Sequence, residues 1–278
     1  MQLRDAIHNA EQRLEAAHVG SPRMNAELLA MFVLGCDRVY LYAHSERPLT
    51  RNEIASYDDA LSERARGVPA QYITGHQEFW GLDVIVSPAV LIPRPETEHV
   101  IETMLELARD RPANNVVDVG TGSGCIALAL AKEFPQARIH ATEISVEALE
   151  IARANAARHQ LEDRIQFHET DLLAGMEEGA FDYVVSNPPY IGDWEVDSVE
   201  AQVRRFEPRL ALFAGPSGLE VFARLIPEAH NALQPGGWLI MEIGHRSRER
   251  VCELLKDWEE IRIANDLQGI ARVVAARR

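Results

Sequence analysis

The sequence predicts a mostly parallel, seven-stranded α/β sheet with helices on both faces, preceded by a small helical domain and joined to it by a β-hairpin. Three observations carry that prediction. From residue 96 onward, short apolar runs alternate with segments of helical periodicity, as in strands linked by crossover helices. The first of those runs ends in Asp118-Val119-Gly120-Thr121-Gly122-Ser123-Gly124, a glycine cluster set between a strand and a helix. Before residue 75 the apolar residues recur at helical spacing alone.

In the helical part, residues 1–75, Leu3, Ile7, Ala10 and Leu14 share one helix face. Ser21-Pro22 reads as an N-cap followed by proline at the first helical position. Leu28, Leu29, Phe32 and Val33 continue on one face of that second helix. Thr50-Arg51-Asn52-Glu53 has the spacing of a capping box. Ile54, Tyr57 and Leu61 follow it, and Gly67 provides a stop. Residues 76–95 form the linker. Its run from Glu78 to Val86 is short, β-branched and aromatic, with Gly81 inside, which predicts the hairpin. Pro88, Pro93 and Pro95 then interrupt regular structure.

In the third part, residues 96–278, strands are predicted over 116–119, 138–143, 165–168, 182–186 and 238–243, with a terminal pair at 261–265 and 272–275. Helices are predicted over 126–134, from Ser145 through 159, over 217–233 and over 247–258. Ligands of such sheets bind beyond the carboxyl ends of the strands, at the topological switch point.

Composition narrows the function. The 278 residues carry 28 Lys+Arg against 43 Asp+Glu, a net charge of −15. So acidic a chain repels polyphosphates, which argues against a protein held to its partner by a DNA or RNA backbone. Cys36, Cys125 and Cys252 are odd in number and widely spaced, as free thiols in a reducing compartment are. The first twenty residues carry acids among their apolar positions, unlike a secretory leader or a transit peptide. No apolar run approaches the roughly 18 residues of a membrane span. The expected location is the cytoplasm. The ten histidines show no metal-ligand spacing, so no metal is expected, and no nucleophile elbow is present.

The glycine cluster allows a tight turn and close backbone approach to a ligand. The helix beyond it offers unpaired N–H groups and the positive end of a dipole. That end meets a pyrophosphate in dinucleotide enzymes, and a methionine carboxylate in methyltransferases. Glu143 ends the next strand, 23 residues after Gly120, where a carboxylate can accept from two ribose hydroxyls. Asp171 follows the third strand. It can accept from an adenine amino group, with Leu172 flanking the base, or simply cap the next turn. The spacing Gly-x-Gly-x-Gly favours S-adenosylmethionine over a nicotinamide dinucleotide.

Asn187-Pro188-Pro189-Tyr190 follows the fourth strand directly, at the same sheet edge. Two prolines fix φ and remove backbone donors. The Asn187 amide oxygen and the Pro188 carbonyl can then accept the two N–H groups of a planar –NH2, while Tyr190 offers a flat face. An amide nitrogen is a poor nucleophile, because its lone pair is delocalised. Two fixed acceptors orient it and favour the positive charge that develops as a methyl arrives.

With these motifs the chain resembles the release-factor glutamine methyltransferases over nearly its whole length. The selective pieces are Pro93-Arg94-Pro95-Glu96-Thr97-Glu98, the 118–124 loop, Asn187–Tyr190, and Phe206-Glu207-Pro208-Arg209-Leu210-Ala211-Leu212 followed by Gly215. The resemblance implies a Rossmann-like S-adenosylmethionine methyltransferase sheet and a helical N-terminal domain that helps dock the release factor. It implies methylation at N5 of the glutamine in a Gly-Gly-Gln loop, with S-adenosylhomocysteine as product. Gly120, Thr121, Gly122, Ser123, Gly124, Glu143, Leu172 and Asn187 would contact the cofactor, with Asp171 beside adenine. Asn187, Pro188, Pro189 and Tyr190 would hold the glutamine, with Asn187, Pro188 and Tyr190 carrying the chemistry. Glu143 stands where aspartate is usual, and Leu172 where some members have an aromatic. Arg94 and Glu96 could pair with each other or hold substrate backbone, or form no more than an exposed ion pair. The partner expected is a release factor, with no nucleic acid and no membrane, and the chain is expected to be a monomer.

Two rival readings share some of these features. A DNA adenine or cytosine amino-methyltransferase would carry the same glycine loop and Asn-Pro-Pro-Tyr, but also a basic target-recognition region, which residues 1–75 do not supply. A non-catalytic adaptor would have no use for an intact loop, Glu143 and Asn187–Tyr190 together.

Overall fold

The computed structural model describes residues 1–278 and divides into two compact units, residues 1–76 with 200–206, and residues 77–199 with 207–278.

The first unit is helical: α1 (Leu3–Ala16), α2 (Pro22–Leu34), α3 (Arg38–Ala43), α4 (Arg51–Ala65) and α5 (Ala70–Thr74). Its core joins Leu3, Ile7, Ala10 and Leu14 of α1 to Ala26, Leu29 and Ala30 of α2 and to Tyr57 and Leu61 of α4. The capping box forms with both reciprocal bonds, and Gly67 follows α4 in the left-handed region at φ +94°. Ser21 and Pro22 take the expected N-cap and first helical positions of α2, but two details differ. Ser21 stands at the N-cap with φ 50° and makes no side-chain cap. The Asn25 amide instead donates to the Gly20 and Ser21 carbonyls. Phe32 is 49% exposed, because the inward face runs through Asn25, Ala26, Leu29 and Ala30. The late segment 200–206 joins this unit through the buried Arg64, which donates to Gln202 Oε1 as well as to Asn25 Oδ1 and the Val68 carbonyl.

Strands β1 (His76–Phe79) and β2 (Leu82–Ile85) form the expected hairpin. Trp80 and Gly81 between them both have positive φ, the geometry of a two-residue turn matched to strand twist. The second unit then continues through α6 (Glu98–Leu107), β3 (Asn115–Val119), α7 (Cys125–Glu133), β4 (Arg138–Glu143), α8 (Val146–Arg158), β5 (Ile165–Glu169), β6 (Phe181–Ser186) and β7 (Ile191–Gly192). After α9 (Ala201–Phe206) of the first unit come α10 (Arg209–Leu212), β8 (Phe213–Gly215), α11 (Glu220–Ala232), β9 (Leu233–Glu242), α12 (Arg248–Leu254), β10 (Glu260–Asn265) and β11 (Ala271–Arg277).

The seven-stranded sheet has the order β10-β11-β9-β6-β3-β4-β5. The run from β9 to β5 is parallel, while β11 lies antiparallel to both β9 and β10. The chain moves outward from β3 to β5 and then returns to β3's other side as β6, so the order reverses between β3 and β6. Helices α6 and α11 help cover the sheet, and β3 and β6 are buried almost throughout. Strand β9 begins five residues before the predicted 238, because Pro235, Gly236 and Gly237 conceal a strand start that the register shift against β6 accommodates. The Asn155 side chain of α8 is fully buried and tethers β2 to the glycine loop. It accepts from Ile85 N–H and donates to the Ile85 and Ser123 carbonyls. No helix is long and apolar enough to cross a membrane.

Candidate active site

A cavity of about 300 Å³ opens at the carboxyl ends of β3, β4, β5 and β6. Val119 and Ser186 are in register as β3 and β6 end, and the Ser186 hydroxyl donates to the Val119 carbonyl at 2.7 Å. The glycine loop and Asn187 therefore leave the sheet side by side at the switch point, where such sheets bind ligands.

The loop itself is braced from below. Gly120 and Thr121 donate their N–H groups to the Thr142 carbonyl. Beneath them the fully buried Asp118 accepts from the Thr121 hydroxyl at 2.6 Å and from Ala127 N–H at 3.2 Å. Its other oxygen has no partner, and burial pushes this carboxyl up to about 7. Gly120, Thr121, Gly122 and Ser123 all line the cavity. At Gly120 and Gly122 φ is positive and a Cβ would meet no protein atom, so backbone and ligand can approach closely there. Gly124 does not line the cavity. Its Cβ would stand 3.2 Å from that of Ala152, so this glycine serves the packing of α7 against α8.

Glu143 is held in the cavity wall by three backbone donors, Gly122 N–H on Oε2 and Ile144 and Ser145 N–H on Oε1. Three of the four lone-pair sites of this carboxylate are thus taken, and the one that remains, on Oε2, can accept a further donor such as a hydroxyl. Asp171 and Leu172 also line the cavity. Asp171 accepts from Arg224 at 2.6 Å, an ion pair roughly half exposed, and Arg224 is a lining residue that the sequence did not single out. Leu172 has φ 50°, an uncommon conformation for a branched apolar residue, held at the cavity edge. An acid with a site for a hydroxyl, open loop backbone and apolar walls from Val90, Ile144 and Leu172 fit a nucleoside with a short charged tail.

On the other wall, Asn187 and Pro189 line the cavity, whereas Pro188 is buried and Tyr190 lies behind the lining. Asn187 Nδ2 donates to Thr97 Oγ1 at 3.0 Å, and no protein donor reaches Oδ1. The Thr97 hydroxyl in turn donates to Glu242 Oε2 at 2.6 Å, and the Tyr190 hydroxyl to Glu242 Oε1 at 3.1 Å. Burial, with Glu242 beside it, raises the Tyr190 phenol well above its ordinary value. Gly244 lies against the Tyr190 ring, where a Cβ would come within 3.0 Å of Cδ2.

Arg94 departs from expectation. It pairs with the buried Glu207 at 2.5 Å rather than with Glu96, and Glu207 also accepts Ile92 N–H. The two selective motifs, 93–98 and 206–212, are thus bonded to each other. Pro208, Leu210, Ala211 and Phe213 of the second one line the cavity. Sequence reading passed over Thr97 and Glu242. The signal for Glu242 was an acid within the apolar run Trp238-Leu239-Ile240-Met241-Glu242-Ile243, since a buried charge needs partners. No cluster of three or more His, Cys, Asp or Glu side chains stands in metal-binding geometry.

Comparison with known proteins gives a consistent assignment. Residues 5–75 match the PrmC N-terminal domain and residues 97–204 the methyltransferase small domain. A release factor glutamine methyltransferase of Koribacter versatilis is 54% identical across all of this chain and 99% of its own length. One from Geobacter sulfurreducens is 41% identical over 93% of this chain and 90% of its own. Among solved structures, the N-terminal domain of human METTL16 in complex with SAH aligns with a TM-score of 0.52 at 19% identity, over 79% of this chain and 82% of that one. A methyltransferase from Pyrococcus furiosus aligns at 0.51 and 21%, over 71% and 89%. At these identities the structural matches speak to the fold.

Proposed function

We infer the reaction from one premise: the chain belongs to the release factor glutamine methyltransferase family, and is a methyltransferase that uses S-adenosylmethionine. The reading is transfer of that methyl group to the side-chain amide nitrogen of the glutamine in a release factor's Gly-Gly-Gln loop. S-adenosylmethionine supplies an electrophilic methyl on a sulfonium and is released as S-adenosylhomocysteine.

The observation that carries this reading is Asn187. Its Nδ2 is committed to Thr97, so its free Oδ1 is the acceptor presented beside the glycine loop. In the proposed complex Asn187 Oδ1 takes one amide hydrogen of the glutamine, and the main-chain carbonyl of Pro188, whose ring is buried between the lining residues Asn187 and Pro189, takes the other. The nitrogen lone pair is then aimed along the methyl–sulfur bond. The C–N bond forms as the S–C bond breaks, and the amide proton leaves afterwards to water. Orientation of this kind contributes up to about 7–11 kcal/mol in well-aligned reactions. Both acceptors also gain strength as positive charge grows on nitrogen. Gly120, Thr121, Gly122, Ser123, Glu143, Asp171 and Leu172 form the cofactor wall, with the free site of Glu143 on a ribose hydroxyl. The helical unit docks the release factor. The protein works as a cytoplasmic monomer, and its net charge of −15 supports a protein rather than a nucleic acid partner.

The test is transfer of labelled methyl from S-adenosylmethionine to a purified release factor, beside the same factor with its Gly-Gly-Gln glutamine changed to alanine. Label entering only the unaltered factor, and lost with Asn187→Ala, is expected. Equal labelling of both factors would overturn the glutamine assignment.

A further inference from the structure

The wall that carries Asn187 holds a buried carboxyl that the reaction outlined above does not use. Glu242 is 3% exposed at the end of β9, and Thr97 beside it is 2% exposed. Thr97 stands at the N-cap of α6, where a threonine hydroxyl normally accepts from the helix's first N–H groups. It makes no such cap. The hydroxyl instead links two side chains 145 and 90 residues away, donating to Glu242 and accepting from Asn187.

A hydroxyl has one proton. With that proton given to Glu242, the Thr97 oxygen can only accept, so Asn187 must turn its N–H group toward Thr97 and its oxygen toward the cavity. The order of donors in this chain fixes which end of the Asn187 amide meets a ligand. Glu242 Oε1 fixes Tyr190 in the same way. We propose that Glu242 is a positioning residue for methyl transfer, a double acceptor that sets the direction of the Asn187–Thr97 hydrogen bond and holds the Tyr190 hydroxyl. The proposal rests on the reading of Asn187 as the amide acceptor.

Two further features support it. Each bond in the chain polarises the next, so an acceptor at its end strengthens Asn187 Oδ1 as an acceptor in turn. The carboxyl is also costly to keep. Burial, reinforced by Glu96 nearby, raises its pKa, while Thr97, Tyr190 and Arg272 act in the opposite sense. An apolar residue would fill the same position without that cost.

Glutamine at 242 would have one acceptor and one donor in place of two acceptors. Facing Thr97, its NH2 would force the Thr97 proton onto Asn187 and turn that amide round. Facing Tyr190, it would displace the phenol proton. The experiment measures kcat, KM for the release factor and Kd for S-adenosylhomocysteine in the full chain carrying Glu242→Gln, Thr97→Val, Thr97→Ser, or Glu242→Gln with Thr97→Val. Glu242→Gln and Thr97→Val are each expected to lower kcat tenfold or more, with KM and Kd within threefold. Thr97→Ser, which keeps the hydroxyl, should stay within threefold of the parent. The double variant should lose much less than the product of the two single losses, because both changes break one chain. Unchanged kcat in Glu242→Gln would overturn the proposal. So would losses that multiply in the double variant, or that track a loss of S-adenosylhomocysteine affinity as a packing defect would. If Glu242→Gln does not fold, the contrast between valine and serine at 97 decides. Parent protein that labels no glutamine refutes the functional reading itself. Parent protein that does so, with variants that match it, refutes only the role of Glu242.

Discussion

Replacing Asp118 by asparagine should remove a distinct part of the pH dependence of stability. Asp118 is fully buried under the glycine loop, with one oxygen taken by Thr121 and Ala127 and the other unpartnered. Burial raises its pKa from 3.8 to about 7, with Glu143 adding to the rise and the two hydrogen bonds opposing it. The native state therefore holds this proton more tightly than the unfolded chain does. The resulting stabilisation is complete below about pH 4 and is lost as pH rises through 7. A shift of about three units corresponds to about 4 kcal/mol, an upper figure for an order-of-magnitude argument. Asparagine cannot ionise, and its oxygen can still accept from Thr121 and Ala127. Any cost of its buried NH2, about 1–3 kcal/mol, does not vary with pH.

The assay is urea unfolding of parent and Asp118→Asn without ligand between pH 4 and 8, followed by tryptophan fluorescence. All four tryptophans, Trp80, Trp194, Trp238 and Trp258, lie in the second unit, so the signal reports the unit that contains Asp118. Carboxyls with lowered pKa, such as Glu27 and Asp266, give slopes of the opposite sign, but these are common to both proteins and cancel in the difference. The stability of the parent relative to the variant should fall by up to about 4 kcal/mol across this range. A difference that stays flat would refute the reasoning and mean that Asp118 is fully solvated or paired when ionised.

Three further predictions concern the walls of the cavity. Gly244→Ala places a Cβ 3.0 Å from the Tyr190 ring, an overpacking expected to cost about 1–3 kcal/mol; thermal unfolding and kcat should both fall. Arg94→Met strands the Glu207 carboxylate with only Ile92 N–H. Breaking a buried pair costs about 3–5 kcal/mol, less here because Arg94 is 33% exposed, and adding Glu207→Gln should recover part of the loss in denaturant titrations. Glu143→Gln sets an NH2 against backbone N–H groups that now donate to a carboxylate, and calorimetry should show S-adenosylhomocysteine affinity reduced about tenfold, on the order of 1.4 kcal/mol.

How far the sequence discloses this arrangement depends on the range of the interaction. Period, glycine clusters and capping boxes are local, and they locate the helix of Leu3 and Leu14, the hairpin around Gly81 and the strands that end at Glu143 and just before Asn187. Exposure of Phe32 was not legible, because Leu29 and Phe32 have the same periodic claim on a helix face and only packing against α1 and α4 chooses between them. The partner of Arg94 was equally hidden. Glu96 is two residues away in sequence and Glu207 is 113, yet the distant acid is the buried one, and a buried carboxylate has the greater need of a guanidinium. Strand β9 was found late in its course because proline and two glycines mask its beginning.

The same distinction separates 93–98 and 206–212 from Asn-Pro-Pro-Tyr. In the proposed role a planar –NH2 is gripped by an Asn-Pro-Pro-Tyr turn at a sheet edge whatever molecule carries it, so that motif leaves the substrate open. The two flanking motifs do not grip the amide. Through Arg94 and Glu207 they fasten one cavity wall to another, and through Thr97 the first of them reaches the amide that Asn187 presents. A residue at either place must satisfy a partner more than eighty positions away in the chain. Substitution there disturbs two walls at once, whereas the bonds of the glycine loop are largely to its own turn and the adjoining strand. Two of the long-range bonds that hold the cavity wall thus start from these motifs.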